Sequence, residues 1–149
     1  MDQLRTFFVT TVTYQRQPLF RRAAFAELML ESLFRYRDKE VFLLHEFVIM
    51  PDHLHLILTP SRLFSLEKAV QRIKGSFSFQ VGKINPKAEI WQRSFTQHLV
   101  LNRMDFTRHR EYILDNPVRA RLVRDREDYP LSSFHRYFRM DELPEFYRG

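Results

Sequence analysis

The stretch VFLLHEFVIMPDHLHLILTP, residues 41–60, decides the fold of this 149-residue chain. Its two halves, Val41–Ile49 and His53–Thr59, are short apolar runs with the length and composition typical of strands. Pro51 and Asp52 stand between them, and such a pair is typical of a tight turn. The segment therefore predicts an antiparallel hairpin of two strands.

The flanking sequence adds one strand and one helix on either side of this hairpin. Before it, Phe7–Tyr14 is rich in β-branched and aromatic residues, and Leu19–Arg35 carries apolar residues at helical spacings. After it, Ser65 caps a helix that runs to about Val81, and Thr96–Leu101 predicts a fourth strand. The order β-α-β-β-α-β is the ferredoxin-like split βαβ pattern of the α+β class, with an antiparallel sheet, helices on one face and the other face available.

The C-terminal third begins with a third helix and continues as a basic extension. The helix starts near Asn102 or Asp105 and reaches Asn116, where Pro117 limits it. Residues 118–149 are Arg-rich, aromatic and irregular, and the last few are expected to fray. The length fits a single domain over residues 1–149, with a core at about 7–117 and a basic C-terminal extension at 118–149.

The composition favours a globular protein with a polyanionic partner such as nucleic acid. The formal net charge is +6, and 19 of the 24 basic residues are Arg, whose planar guanidinium binds phosphate oxygens two at a time. No cysteine is present, which excludes disulfides, thiolate zinc sites and cysteine nucleophiles. The sequence carries no signal peptide pattern and no apolar run long enough for a bilayer, so we expect a cytoplasmic protein without a membrane partner.

Two histidines stand one residue apart in the second strand of the hairpin. Side chains at i and i+2 of a strand share a face, so His53 and His55 lie side by side, whereas Leu54, Leu56 and Leu58 point to the opposite face. Two adjacent imidazoles can donate nitrogen ligands to one divalent metal. The alternative is that one imidazole belongs to the core and the other to the surface.

A tyrosine and an asparagine lie one turn apart in the predicted third helix. Tyr112 and Asn116 are spaced i and i+4, so they share a helix face. A phenol becomes a useful nucleophile when a metal polarises the phosphate it attacks, or when a nearby base takes its proton. The Asn116 carbonyl is a candidate third ligand for Mg²⁺ or Mn²⁺. Alternatively, Tyr112 fills the core and Asn116 is the C-cap before Pro117.

These segments resemble the REP-associated tyrosine transposases, a branch of the single-tyrosine HUH transposases. FVIMPDHLHLIL, residues 47–58, is similar to the His-hydrophobic-His strand of that superfamily, and EYILDNPVRARLV, residues 111–123, is similar to its nucleophile helix. The resemblance extends from about Phe7 to Tyr137, since FFVTTVTYQRQPLF, WQRSFTQHLV and DYPLSSFHRY also fit the branch.

The resemblance implies a metal-dependent transposase that cuts and rejoins single-stranded, hairpin or palindromic DNA. Tyr112 would match the catalytic nucleophile, His53 and His55 the metal-binding pair, and Asn116 an additional ligand of Mg²⁺ or Mn²⁺. In the family the tyrosine attacks a phosphodiester and stays joined to the 5′ phosphate, which leaves a free 3′ hydroxyl; rejoining reverses the step. A monomer and a homodimer are both compatible with the sequence, and so is a tyrosine that acts with its own or a partner's histidines.

Contacts to DNA are expected from the basic residues on the second helix, after Trp91, and around the nucleophile helix. These residues are Arg72, Lys74, Arg93, Arg110, Arg119, Arg121 and Arg124. Binding through such contacts should weaken steeply as the salt concentration rises.

The chain departs from the usual pattern of the branch at three positions. Asp52 stands where Asn is usual, Arg121 where Gly is usual, and Tyr129 where Trp is common. None of these changes removes a catalytic group. Asp52 adds a negative charge beside the metal site, and Arg121 suggests a different local turn or an added phosphate contact.

Two other functions remain open from the residues alone. A non-catalytic ferredoxin-like module could hold single-stranded nucleic acid on its open sheet, although such a platform uses aromatic residues where this strand has imidazoles. A metal-dependent hydrolase could use His53 and His55 with a bound water, but it needs further ligands. No carboxylate is clearly placed with the remaining histidines, His45, His98, His109 and His135.

Overall fold

The computed structural model describes residues 4–148, and the order of its elements is the predicted one. The strands are β1 (Phe7–Val12), β2 (Phe42–Met50), β3 (His53–Pro60) and β4 (Thr96–Leu99). The α-helices are α1 (Ala23–Asp38), α2 (Leu66–Gly82) and α3 (Arg103–Arg119). None of the helices within these residues is long and apolar enough to cross a membrane.

The four strands form one antiparallel sheet in the order β2-β3-β1-β4. This is the ferredoxin-like arrangement, so the predicted fold class is confirmed. The hairpin of β2 and β3 is present, and β3 lies between β2 and β1. In this register His55 stands opposite Thr10 of β1 and Val48 of β2. The histidine pair is therefore on an inner strand, supported from both sides.

One face of the sheet packs against α1 and α2. Leu54, Leu56 and Leu58 of β3 are almost completely buried there, against residues such as Leu33 of α1 and Phe77 of α2. Burying each leucine stabilises the fold by roughly 1.5–3 kcal/mol. The predicted alternation along β3 is thus confirmed, and this face holds the larger apolar core.

The other face is covered by α3. Ile113 and Leu114 of α3 pack there with Phe8, Val48 and Ile57 of the strands in a second, smaller apolar cluster. The split βαβ pattern alone leaves this face open. Because α3 crosses it, side chains of α3 come close to the odd-numbered residues of β3.

The bounds of two helices differ from those predicted. Residues 19–21 form a 3₁₀ turn and Arg22 is extended, so α1 begins at Ala23 instead of Leu19. At the other end of the chain, α3 passes through Pro117 and ends at Arg119. Proline removes only one helical hydrogen bond, and the next amides restore the pattern, since Ala120 N donates to Asn116 O at 3.0 Å.

The predicted caps of the second and third helices are present. Ser65 accepts a hydrogen bond from Lys68 N at 3.2 Å, as expected of an N-cap. Asn102 caps α3 by accepting from Asp105 N at 2.8 Å, while Asp105 accepts from Leu101 N at 3.0 Å. Asn102 thus satisfies an amide that the first turn of α3 leaves without a helical partner, and Asp105 fixes the chain just before the helix.

The C-terminal extension lacks long regular elements, but its end does not fray within the described residues. It runs along the outer edge of β2, where Ile49 N donates to Leu131 O and Ser133 N donates to Phe47 O, each at 2.9 Å. The Tyr147 hydroxyl is buried and donates to Val100 O at 2.8 Å. The expectation of frayed last residues is wrong up to residue 148, because this segment caps an edge strand and anchors an aromatic side chain.

Candidate active site

The two histidines of β3 lie side by side under α3. The ring centroids of His53 and His55 are 4.7 Å apart, and the rings are inclined by 75°. His55 is only 5% exposed, whereas His53 is half-buried. The predicted pairing of the imidazoles on one face is therefore present.

Each imidazole is held through its Nδ1 atom. His53 Nδ1 lies 2.7 Å from Asp52 Oδ1, and His55 Nδ1 lies 2.8 Å from Thr10 Oγ1. A ring whose Nδ1–H donates to an oxygen keeps a lone pair on Nε2, which is the usual arrangement of metal-binding histidines. If Nδ1–H is the donor in both contacts, Asp52 and Thr10 leave the two Nε2 atoms available to bind a ligand.

The charge states of this group suit metal binding. Burial, with a smaller electrostatic contribution from the neighbouring His53 and Arg119, lowers the pKa of His55 to about 3. Burial alone would raise the pKa of Asp52, but hydrogen bonds from His53 and Arg16 hold it below its usual value. At neutral pH, His55 is therefore a neutral imidazole and Asp52 a carboxylate.

Tyr112 of α3 reaches the same place. Its ring centroid lies 5.3 Å from that of His55 and 5.9 Å from that of Phe8, in both cases edge-on. The side chain is 41% exposed, so it contacts the histidine while remaining open to a substrate. The alternative that Tyr112 only fills the core does not fit this exposure.

Asn116 lies one turn beyond Tyr112 and carries an unpaired oxygen. The residue is 9% exposed, and its Oδ1 has no hydrogen-bond partner among the described residues. A buried carbonyl without a partner is rare and costs stability, which points to a ligand that supplies the missing interaction. Asn116 is also not the C-cap, since α3 continues to Arg119.

The donor set of this site fits a divalent metal. Two imidazole nitrogens and one amide oxygen are ligand types found at such ions in proteins. Within residues 4–148 no group of three or more histidine, aspartate or glutamate residues is arranged to hold a metal. A third protein ligand for a metal at the histidine pair would therefore be of another type, and the unpaired oxygen of Asn116 is a candidate.

The sequence does not predict three further residues of the site, which are Phe8, Thr10 and His109. Phe8 of β1 is stacked between His55, at 5.4 Å, and His109 of α3, at 4.6 Å, measured between ring centroids. Thr10 of β1 holds His55, as described above. These residues come from β1 and α3 and carry no motif of their own. The pairing register of β1 with β3 brings Phe8 and Thr10 to His55, and the packing of α3 places His109 against Phe8.

Of the basic residues predicted to contact DNA, Arg119 is the one that touches the tyrosine. Its guanidinium carbon lies 3.9 Å from the centre of the Tyr112 ring, and its Nη2 donates to Tyr112 O at 3.3 Å. Arg110 forms an ion pair with Glu46, with Nε 3.3 Å from Oε2. Arg121 and Arg124 are exposed in the segment that follows α3.

The other predicted contacts lie elsewhere. Arg72 and Lys74 are on α2, which packs on the sheet face opposite to Tyr112. Lys74 donates to Gln92 O at 3.1 Å, and burial lowers its pKa. Arg93 lines a surface groove beside Lys74. The structure thus does not bring these three residues to the tyrosine.

A ferredoxin-like sheet with a His-hydrophobic-His strand and a tyrosine helix on one face defines the class of single-tyrosine transposases. Residues 2–116 match the family of IS200-like transposases, and the chain belongs to that family. Its members cleave and join DNA, so the protein is an enzyme of this class.

Individual relatives agree with this assignment. The REP-associated tyrosine transposase of Escherichia coli K12 is 28% identical over 131 residues, covering 87% of this chain and 76% of the relative. A Haemophilus influenzae protein provisionally given the same name is 33% identical over 112 residues, covering 68% of this chain and 64% of its own. A solved REP-associated tyrosine transposase bound to a REP hairpin shares the fold, with a TM-score of 0.78, 23% identity and coverage of 98% of this chain and 91% of that one.

Proposed function

We propose that this protein is a metal-dependent nicking and joining enzyme for single-stranded hairpin DNA, with Tyr112 as the nucleophile. The observation that carries the proposal is the contact of Tyr112 with the neutral His55, together with the unpaired oxygen of Asn116 one turn further along the same helix. The net charge of +6 and the REP hairpin bound by a structural relative support hairpin DNA as the substrate.

The proposed chemistry is the one that the resemblance to the tyrosine transposases implies. The Tyr112 oxygen forms a bond to phosphorus while the bond from phosphorus to the 3′ oxygen breaks. The phenol proton ends on the departing 3′ oxygen, directly or through water, so the products are a 5′-phosphotyrosine and a 3′ hydroxyl. Attack by a 3′ hydroxyl on the phosphotyrosine reverses the step and joins strands. No nucleotide cofactor is consumed, because the covalent bond conserves the energy of the phosphodiester.

A divalent metal, Mg²⁺ or Mn²⁺, held by His53, His55 and Asn116 would withdraw charge from the scissile phosphate. Asp52 and Thr10 orient the two imidazoles for this role through their Nδ1 atoms. Asn116 lies on the same helix as Tyr112, so a ligand bound to its oxygen also holds the nucleophile in place. The ring of Tyr112 contacts that of His55 in the same chain, with centroids 5.3 Å apart, which favours a tyrosine acting with its own histidines.

A trapping assay tests the proposal. Purified protein is mixed with Mn²⁺ or Mg²⁺ and with 5′- and 3′-labelled hairpin DNAs from the sequence around its own gene, and protein-linked DNA is detected on denaturing gels. We expect an adduct on the 5′ phosphate that disappears in Tyr112→Phe, in His53→Ala/His55→Ala and in the presence of EDTA. Tyr137→Phe is the matched control and should keep the adduct, because Tyr137 is an exposed tyrosine that stacks on His135 and not on His53 or His55.

Two other results would contradict the proposal. Cleavage that survives Tyr112→Phe indicates a metal-activated water and the hydrolase alternative. Tight, salt-sensitive hairpin binding without any adduct under all metal conditions favours the non-catalytic binding module.

A further inference from the structure

Arg119, the last residue of α3, makes two contacts with the residue that carries the nucleophile. Its guanidinium lies over the face of the Tyr112 ring, with the central carbon 3.9 Å from the ring centre. Its Nη2 also donates to the carbonyl oxygen of Tyr112, at 3.3 Å. One side chain therefore spans both the ring and the backbone of Tyr112.

The Tyr112 ring is enclosed on several sides by these contacts. His55 and Phe8 meet it edge-on, with interplanar angles of 78° and 84°, and Arg119 covers its face. The ring is nevertheless 41% exposed, so without a cover it can turn away from the histidines into solvent. Nucleophilic attack requires a reacting oxygen within roughly 3–3.5 Å of phosphorus and aligned with the leaving group. A ring that changes rotamer loses this alignment.

The shape of the cation matters for such a cover. A planar guanidinium can stack on an aromatic ring and donate a hydrogen bond from its edge at the same time, whereas an ammonium group is a compact, strongly hydrated charge. Arg119 uses its plane for the ring and one N–H for the carbonyl. We infer that Arg119 is a positioning residue for Tyr112, holding the phenol against His55, and that DNA affinity is not its main contribution.

The contact itself is tested on the free protein, without metal or DNA. Side-chain protons of Arg119 above an aromatic ring should resonate upfield in an NMR spectrum. We expect this upfield shift to persist in Tyr112→Phe, which keeps the ring, and to disappear in Tyr112→Leu. An Arg119 signal at the ordinary position in the wild type would overturn the inference.

The catalytic consequence rests on the proposed function and is tested by separating binding from chemistry. The hairpin dissociation constant and the single-turnover rate of adduct formation at saturating DNA are measured for Arg119→Gln and Arg119→Lys. We expect the rate to fall by about 10- to 100-fold in both, because misplacement of a reacting group by about 1 Å can cost 100-fold. The dissociation constant should change by no more than about twofold. Arg21→Gln removes an equivalent exposed charge beside α1 and should alter neither quantity.

The outcomes separate this inference from its alternatives. If Arg119→Gln weakens hairpin binding about tenfold, lowers the salt dependence by about one phosphate contact and leaves the saturated rate unchanged, Arg119 is a DNA contact and the inference is wrong. Full rescue by Arg119→Lys would show that charge alone matters, which also overturns it. If the wild type forms no adduct at all, the proposed function fails, while the NMR shift still decides whether Arg119 holds the ring.

Discussion

The two faces of β3 differ in almost every physical property although their residues alternate along one strand. Leu54, Leu56 and Leu58 are buried among apolar side chains of α1 and α2. His53 and His55 face α3 and are held by oxygen atoms of Asp52 and Thr10. Packing on the leucine face stabilises the strand, and this stability allows polar groups to be held in fixed positions on the imidazole face.

The imidazole face carries features that do not stabilise a fold. Asn116 Oδ1 is buried without a partner, which costs roughly 1–3 kcal/mol. His55 is buried so deeply that protonation is strongly disfavoured. Such features are expected where a ligand or a reaction compensates for them. Substitutions on the two faces should therefore have opposite signatures, in stability on one face and in ligand binding on the other.

The largest effect on stability is expected from the leucine face. Leu56→Ala should lower the free energy of unfolding by about 3 kcal/mol, because the leucine is almost completely buried and its removal leaves a cavity. Urea denaturation in EDTA measures the change. Asn116→Ala is the matched substitution on the other side and should cost less than about 1 kcal/mol, since it removes an acceptor that has no partner. If Asn116→Ala lowered the free energy of unfolding more than Leu56→Ala, the leucine face would not be the main source of stability.

Lowering the pH should destabilise the protein because His55 is buried as a neutral ring. The pKa of His55 is about 3 in the folded protein, whereas the ordinary value of 6.5 applies to the unfolded chain. The unfolded state therefore binds more protons between these two pH values. Unfolding free energy therefore falls as the pH is lowered through this window, by about 1.4 kcal/mol per pH unit, or about 2 kcal/mol between pH 7 and pH 5.

Replacing the histidine isolates its share of this slope. His55→Gln should have a shallower decline than the wild type when both are unfolded in urea with EDTA between pH 7 and pH 5. Burial also lowers the pKa values of His45 and His109, but these residues contribute equally to both proteins. Identical slopes would mean that His55 is not buried as a neutral ring.

Much of the site could be predicted because its chemistry is local in the sequence. The spacing of His53 and His55 in a strand, and of Tyr112 and Asn116 in a helix, places each pair on one face without knowledge of the tertiary structure. Thr10 could not be found in this way, since nothing in its neighbourhood indicates that β1 pairs with β3 at this register. Arg72 and Lys74 show the converse, because a basic helix predicts a charged surface but does not say which sheet face it covers.

The fold was predictable for the same reason, and the exceptions share a cause. The hairpin and the alternation of β3 follow from period-two patterns. The C-terminal extension has no such period, and its order comes from backbone hydrogen bonds to the exposed edge of β2 and from the anchored Tyr147. The partners on β2 are 80 or more residues away in the chain, and Val100, the partner of Tyr147, is 47 residues away. Contacts of that range are invisible to local patterns.

The carboxylate of Asp52 lies beside His53, at the end of the imidazole face. Asp52 accepts from His53 and from Arg16, with distances of 2.7 and 3.2 Å. Removing such an outer partner of a ligating histidine typically lowers metal affinity by 10- to 100-fold. We expect Asp52→Ala to weaken Mn²⁺ binding by about tenfold in calorimetry of the DNA-free protein. Arg16→Gln, which leaves the bond to His53 in place, should change it much less. Equal affinity in Asp52→Ala and the wild type would remove Asp52 from the site.

The smallest effect on stability is expected at Arg121, just after the end of α3, where the backbone conformation is strained. Arg121 has φ of 60°, and its amide donates to Val118 O while Leu122 N donates to Pro117 O, which is the Schellman arrangement that favours glycine at this position. Arg121→Gly relieves the left-handed conformation but makes the unfolded chain more flexible, so the net stabilisation should be only about 0.5–1 kcal/mol in thermal unfolding.

Whether this strain serves the site is answered by measuring hairpin affinity on the same variant, with Arg121→Asn as a control that also tolerates the left-handed region. If Arg121→Gly and Arg121→Asn both stabilise the fold and both weaken hairpin binding with a smaller salt dependence, the arginine trades stability for a phosphate contact. If hairpin binding is unchanged, Arg121 contributes neither to stability nor to DNA binding. The unfavourable residue at the end of α3 would then be tolerated because the packing of the leucine face gives the fold more stability than it requires.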